Sequence, residues 1–341
     1  MIHEMEFLMK FFIFALGFFF SVIGFAREVN YSVDHRILLE GAEGWDCLAV
    51  DDSSGRLFVT RGNHVDVVDL KTEKVVGKIA EPIDGAHAVA FVPQLKKGYI
   101  TSGKSGMVVV FDLASLKVIK EIPAGKKPDL ILYDEATSRI FAFNGGDGSI
   151  TVIDVHTDAV LKTIKIDGKP EFAVTDQKGH IYLNNEEKNS LLVIDSKAMS
   201  IEKTWPLKGC ESPSGLAADF SSRRLFSVCE NGVMVVTDAD NGKLVKSLPI
   251  GQKPDGAGFD SGLVFSSNGG GTLTVVREKS ANDFAVVENI ETQKGARTMA
   301  IDKKTHLIYL VAAKYEAADP KDSHARPKIA PGSVELLVIK K

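Results

Sequence analysis

Residues 129–168 read DLILYDEATSRIFAFNGGDGSITVIDVHTDAVLKTIKIDG, and the fold follows from this stretch. Residues 129–133 are largely apolar, 134–139 make a polar turn signal, and 140–143 are apolar again. A glycine-rich loop at 144–148 leads into two further apolar runs, 149–153 and 160–166. Short runs rich in β-branched and aromatic residues, each bounded by turn chemistry, predict four antiparallel strands. No part of the chain carries a helical period.

The same unit recurs. An apolar run closing on aspartate appears as VDVVD ending at Asp69, VVVFD at Asp112, ITVID at Asp154, LLVID at Asp195 and MVVTD at Asp238, at intervals of 43, 42, 41 and 43 residues. Two more copies lack the acid: LTVVR ends at Arg277, and LLVIK ends at Lys340 after an insertion. Self-similarity at this period marks a repeat architecture. A lone four-stranded sheet buries little, so the units must pack face to face around an axis. The expected fold is all-β, a seven-bladed β-propeller of four-stranded antiparallel blades. The last unit stops after its third strand, at 334–339. Residues 34–41 resemble the fourth strand of unit three and precede unit one, so this N-terminal strand is expected to pair in the last blade and close the ring, removing two exposed edges.

The N-terminus reads as a secretory signal peptide. Lys10 precedes an unbroken apolar run at 11–20, and Gly24, Phe25 and Ala26 follow it, giving the order positive, apolar, small. Residues 11–26 are too short for a membrane span, which needs about 20 apolar positions. Cleavage is expected after Ala26, leaving a propeller at 27–341 that is secreted, to the periplasm or the extracellular space, with no transmembrane segment. Glu4 and Glu6 are out of place in a basic leader, and a start at Met9 removes them. The mature chain carries 40 basic and 43 acidic residues, a net charge of −3. That balance argues against nucleic acid and anionic lipid, which reward a concentrated basic surface. Cys47, Cys210 and Cys229 form no C-x-x-C pair, so neither a thiolate metal site nor a c-type haem attachment is present. Cys210 and Cys229 fall near the same end of unit five, and an oxidising compartment is expected to bridge them. Cys47 is expected to be buried and unpaired.

The stretches LFVTRGNHVDVVD from Leu57, IFAFNGGDGSITVID from Ile140 and IYLNNEEKNSLLVID from Ile181, each preceded by a segment like Lys127-Pro128-Asp129, resemble the YVTN-repeat propellers of the YncE-like family. The resemblance extends over essentially the whole mature chain. It implies a seven-bladed propeller, usually exported in bacteria, with no settled activity across the family. No Gly-His to Trp-Asp pairing recurs, so the chain does not resemble WD repeats.

Several conspicuous residues belong to the framework. The aspartate ending each third strand is followed three residues on by Thr72, Ser115 or Thr157, a pattern that ties a hairpin turn through backbone N–H groups. The same reading covers Asp51, Asp134, Asp176, Asp219 and Asp302 at the first hairpin. Residues 98–105, GYITSGKS, fit the phosphate-cradling loop letter for letter, but that loop works only ahead of a helix, and here the third strand of unit two follows. Neither G-x-S-x-G nor H-E-x-x-H occurs.

Function is expected on one face of the disc, where the loops leading into the innermost strands emerge beside the channel. Aligning the units places Asp46, His87, Asp129, Glu171, Ser214, Asp255 and Arg297 at equivalent positions. The units agree on framework residues and differ here, as expected of a binding site imposed on a repeated scaffold. Around this ring the loops between second and third strands contribute Arg61, Asn63, His64, Lys104, Asn144, Asp147, Asn184, Glu186, Glu230, Asn268, Lys314 and Tyr315. In unit seven that loop is long, from about 313 to 332, and carries His324 and Arg326. Two function classes follow. One is a non-catalytic binding module for a small molecule or protein partner at the channel face, with Asn144, Asn184 and Asn268 joining the ring. The other is a metal-assisted lactonase or hydrolase of gluconolactonase-like type, in which Glu171, Asp129, Asp255, Asn144 and Asn184 offer oxygens to a divalent cation such as calcium and His87 serves as base or ligand.

Overall fold

The computed structural model describes residues 29–316 and 328–341. The expected leader at 1–26, and His324 and Arg326 in the blade-seven loop, lie outside the described residues. Among the described residues no helix is long and apolar enough to cross a membrane.

Seven four-stranded antiparallel sheets form the propeller. Their innermost strands are Leu48–Asp51, Ala86–Val92, Pro128–Asp134, Pro170–Thr175, Pro213–Asp219, Pro254–Asp260 and Met299–Ile301. Each packs against the innermost strands of the blades before and after it, and the contact of Met299–Ile301 with Leu48–Asp51 completes the circle. Blade seven takes its outer strand from the other end of the chain. Ser32–Leu38 pairs antiparallel with Glu335–Lys340, from Ser32 opposite Lys340 to Leu38 opposite Glu335. The ring is closed as the repeat pattern predicts.

The sequence pattern of each blade follows from what covers it. The second strand of blade three, Arg139–Asn144, buries Ile140, Phe141, Ala142 and Phe143 in a row, because neighbouring blades cover both of its faces. The outer strand Val160–Lys165 has one face and one edge in water, so only Ile164 is buried and lysines are interspersed. Seven apolar clusters result, one at each interface between consecutive blades. In the cluster between blades five and six, Phe226 stacks on Phe259 at 6.1 Å and meets the edge of Phe284 at 5.7 Å.

The repeated aspartates tie turns. Asp69 Oδ1 accepts from the Lys71 and Thr72 amides and from the Thr72 hydroxyl, and Asp112 and Asp154 repeat the arrangement with Ser115 and Thr157. Asp51, Asp134, Asp176, Asp219 and Asp302 do the same work at the first hairpins. The phosphate-loop match at 98–105 falls on strand Lys97–Ser102 and the turn before strand Met107–Asp112, with no helix behind it. Cys210 and Cys229 are disulfide-bonded. Cys47 is free and half-buried.

Removing the ring of Phe226 opens a void that two blades must share. Phe226→Ala is expected to cost about 3–5 kcal/mol in urea unfolding, whereas Val160→Ala, on the wet outer strand, should stay within about 1 kcal/mol.

Candidate functional site

The seven ring residues all stand where an innermost strand begins, and in most blades a β-bulge aims them. In blade three, Pro128 pairs with Asn144 and Ile131 with Ala142, so Asp129 and Leu130 together face Phe143 alone. The register slips at the same place in blade two around His87, in blade four around Glu171, in blade five around Ser214 and in blade six at Asp255. In blade one the Asp46 amide donates to the Thr60 carbonyl, while the Cys47 carbonyl accepts from the Thr60 amide, the same two-against-one count. Arg297 lies two residues ahead of Met299–Ile301. A bulge bends the strand and re-aims its side chain, here toward the axis. Two residues ahead of the ring position the backbone is left-handed in five blades: Gly85 has φ 76°, Lys127 49°, Ser212 47°, Lys253 54° and Gly295 90°.

The main-chain carbonyls of five ring residues are each held by a side chain of the blade next to them. The Thr60 hydroxyl donates to the His87 carbonyl at 3.0 Å and the Thr101 hydroxyl to that of Asp129 at 2.6 Å. Asn184 Nδ2 donates to the Ser214 carbonyl at 3.0 Å, and the Thr298 hydroxyl to that of Asp46 at 2.6 Å. Ser267 donates to the Arg297 carbonyl in the same way.

This belt corrects the expectation for the three asparagines. Asn144, Asn184 and Asn268 are fully buried and do not line the channel. Asn144 donates to Ser149 and Thr151, and Asn268 donates to Thr272 and Thr274 while accepting from Ser266. Asn184 accepts from Ser227 as it holds Ser214 and Gly215. Their amides serve the framework. Arg61 is also buried, paired with Asp66 at 3.0 Å, and Lys104 pairs with Asp84 on the surface.

The ring side chains do converge. From blade six round to blade three they form a continuous chain of charge: Asp255 Oδ2 lies 3.1 Å from Arg297 Nε, Asp46 Oδ1 is 3.9 Å from Arg297 Nη2, and Asp46 Oδ2 is 2.6 Å from His87 Nδ1. Asp129 Oδ1 lies 3.4 Å from the same His87 nitrogen. In blade four Glu171 pairs with Lys169 at 2.6 Å, and Lys169 also reaches Glu186. Ser214 turns its hydroxyl to the Pro254 and Asp255 carbonyls.

These groups open into a cavity of about 980 Å³, lined by six carboxylates, Asp46, Asp129, Glu171, Glu186, Glu230 and Asp255, against the cations Lys169, Lys253 and Arg297. Trp45, Phe172 and Tyr315 add aromatic wall. Burial and the crowding of acids act together on protonation. Burial pushes the Asp255 carboxyl up to about 7, against the pull of Arg297 and with the help of Asp46 and Asp129. Burial and Asp46 raise Asp129 as well, and burial lifts Glu171 despite its lysine. His87 is raised too, although burial acts against it: burial disfavours its charge, but the bond to Asp46 and the field of Asp129 outweigh it, so the imidazole is more basic than usual. Burial and the four nearby carboxylates hold the Cys47 thiol well above its ordinary value, which disfavours the thiolate.

A family model described as "Domain of unknown function (DUF5074)" matches residues 54–219. Proteins described as "Uncharacterized protein YncE" from Escherichia coli O157:H7 and from Escherichia coli strain K12 are each 22% identical over 209 residues, 56% of this chain. The match spans 57% of the length of those relatives. The chain is a seven-bladed propeller with weak similarity to these YncE proteins. Its fold also superposes on a chain described as "Kuenenia stuttgartiensis Hydrazine Synthase" with a TM-score of 0.67 and 18% identity, covering 80% of this chain and 94% of that one. That likeness concerns the fold alone.

Alignment of the repeats located the ring positions but missed Lys169, Lys253 and the aromatic wall of Trp45 and Phe172. The signal for the lysines was present: both stand directly before the proline that opens an innermost strand, at the position preceding the bulge.

Two outcomes follow. Asn184→Ala leaves the buried Ser227 hydroxyl and Ser214 carbonyl without their partner, and each orphaned group is expected to cost about 1–3 kcal/mol in urea unfolding. The second concerns pH. Because Asp255 titrates near 7 when folded and near about 3.9 when unfolded, the folded state holds a proton that the unfolded chain has lost between those values. The Asp255 contribution to stability is therefore expected to be largest at the acid end of that window and to fall as pH rises through it. Asp255→Asn should flatten this slope in urea midpoints measured on either side of it.

Proposed function

We propose that this chain is an exported, non-catalytic binding module whose axial cavity captures a small ligand carrying positive charge, an organic amine. The observation that carries the reading is the excess of acid in a confined space: six carboxylates meet three cations in a cavity of about 980 Å³. Burial raises the pKa of the Asp129, Glu171 and Asp255 carboxyls, so their ionised forms are costly in the cavity. A bound ammonium group relieves that repulsion, and the faces of Trp45, Phe172 and Tyr315 suit a cation through their ring quadrupoles. A volume of this order fits a small molecule rather than a docked domain. Export is supported by the Cys210–Cys229 disulfide, which belongs to an oxidising compartment, and by the leader read at 1–26. The gluconolactonase-like alternative counts on Glu171, Asp129, Asp255, Asn144 and Asn184; the three carboxylates line the cavity, whereas the two amides are buried away from it.

The test is thermal stabilisation of chelator-treated protein by putrescine, tyramine and choline, with succinate as the anionic control. An amine at a hundred times its dissociation constant should add about 2.7 kcal/mol of stability. Glu171→Gln and Glu186→Gln should weaken that gain. Stabilisation by succinate with none by any amine would reverse the sign of the proposed ligand.

A further inference from the structure

We propose that Asp46, His87 and Asp129 bind a first-row divalent cation, zinc or manganese, where blades one, two and three meet. The inference goes beyond the amine reading and does not depend on it.

Three donor atoms converge on one point. His87 Nδ1 lies 2.6 Å from Asp46 Oδ2 and 3.4 Å from Asp129 Oδ1, and the donor atoms of all three residues fall within 4.8 Å of one another. An imidazole held by hydrogen bonds alone presents at most one N–H at each nitrogen, so partners belong on both edges of the ring. Here both acids crowd one nitrogen. A single proton serves Asp46, and among the described residues the Asp129 carboxylate has no ion-pair partner besides this histidine. A cation resolves the arrangement: bonds of about 2.0–2.2 Å to nitrogen and oxygen place neighbouring donors roughly 3 Å apart, close to the spacing already present. One imidazole with two carboxylates suits zinc, manganese or ferrous iron, and two carboxylates balance the charge of one divalent ion. Three protein ligands also leave coordination positions open, and Asp46 and Asp129 both face the cavity.

The site is held from behind. Thr298 fixes the Asp46 carbonyl, Thr60 and the Cys47 amide fix that of His87, and Thr101 fixes that of Asp129. Arg297 approaches Asp46 Oδ1 at 3.9 Å and leaves Oδ2 to the cluster. On the far edge of the imidazole, a Cβ at Gly103 would stand 2.5 Å from His87 Nε2, so the glycine provides the space that lets the ring turn Nδ1 toward the acids. The glycine of the stretch that imitates a phosphate loop thus has a second explanation, as room for a ligand histidine.

The experiment is titration of chelator-treated protein with zinc chloride and manganese chloride by calorimetry, and with cobalt chloride by visible absorption. The expected result is one ion per chain and cobalt bands of a nitrogen–oxygen site. His87→Ala and Asp129→Asn should each weaken binding at least 100-fold. Gly103→Ala, which removes no ligand, should weaken it about 10-fold, as loss of an orienting contact does. Unfolding curves without metal show whether each variant folds. Cobalt-shifted proton signals from the His87 ring of the wild-type protein test the assignment without any variant. Absence of binding, or binding undiminished in folded His87→Ala, overturns the proposal. Amine binding by the same metal-free protein is read separately, so either inference can fail alone.

Discussion

The middle strands of a four-stranded blade cannot bury themselves. Phe141 and Phe143 lie on one face of their strand, Ile140 and Ala142 on the other, and all four are shielded from water. Burial of this kind is the dominant favourable term in folding, so each blade requires two neighbours. A linear stack would leave two faces wet, and only a closed circle satisfies every member. The pairing of Ser32–Leu38 with Glu335–Lys340 is therefore a condition of the fold. It binds the two ends of the chain into one sheet and makes the seventh interface equivalent to the other six.

That requirement also places the site. Packing seven sheets around an axis brings the starts of seven innermost strands to one rim, whatever residues stand there. Bulges then bend most of those strand starts, and hydroxyls or an amide from the neighbouring blade pin the main chain. Asp255, Arg297, Asp46, His87 and Asp129 come from five consecutive blades, yet they form one line of interacting charge. None is near the next in sequence, and the geometry of the ring joins them.

The fold was legible because its determinants are local and repeated. Period-two strands, aspartate-tied turns and a recurrence of about 42 residues each leave a mark on the sequence, and Arg277 and Lys340 broke the pattern without hiding it. The ring was legible by alignment for the same reason. The asparagines were misread because Asn144, Asn184 and Asn268 sit beside loops where turn chemistry and ligand chemistry use the same residue. Only the three-dimensional path shows that Asn184 reaches across to the next blade's carbonyl. Cys47 likewise looked like core and instead borders the cavity, because the bulge it shares with Asp46 brings it to the rim. The pairing of Lys169 with Glu171 and Glu186 depends on where two separate loops end, which no single-strand pattern records.

The clasping of main-chain carbonyls separates two tasks that most binding sites confuse. Thr60, Thr101, Asn184, Ser267 and Thr298 hold the rim by its backbone, so the side chains projecting from it bear little of the scaffold's weight. Those seven positions behave like sockets on a fixed wheel. A lineage built on such a wheel can change what it recognises by exchanging a few projecting groups while its hub stays still, and the same freedom is open to anyone who randomises the seven positions to select new specificities.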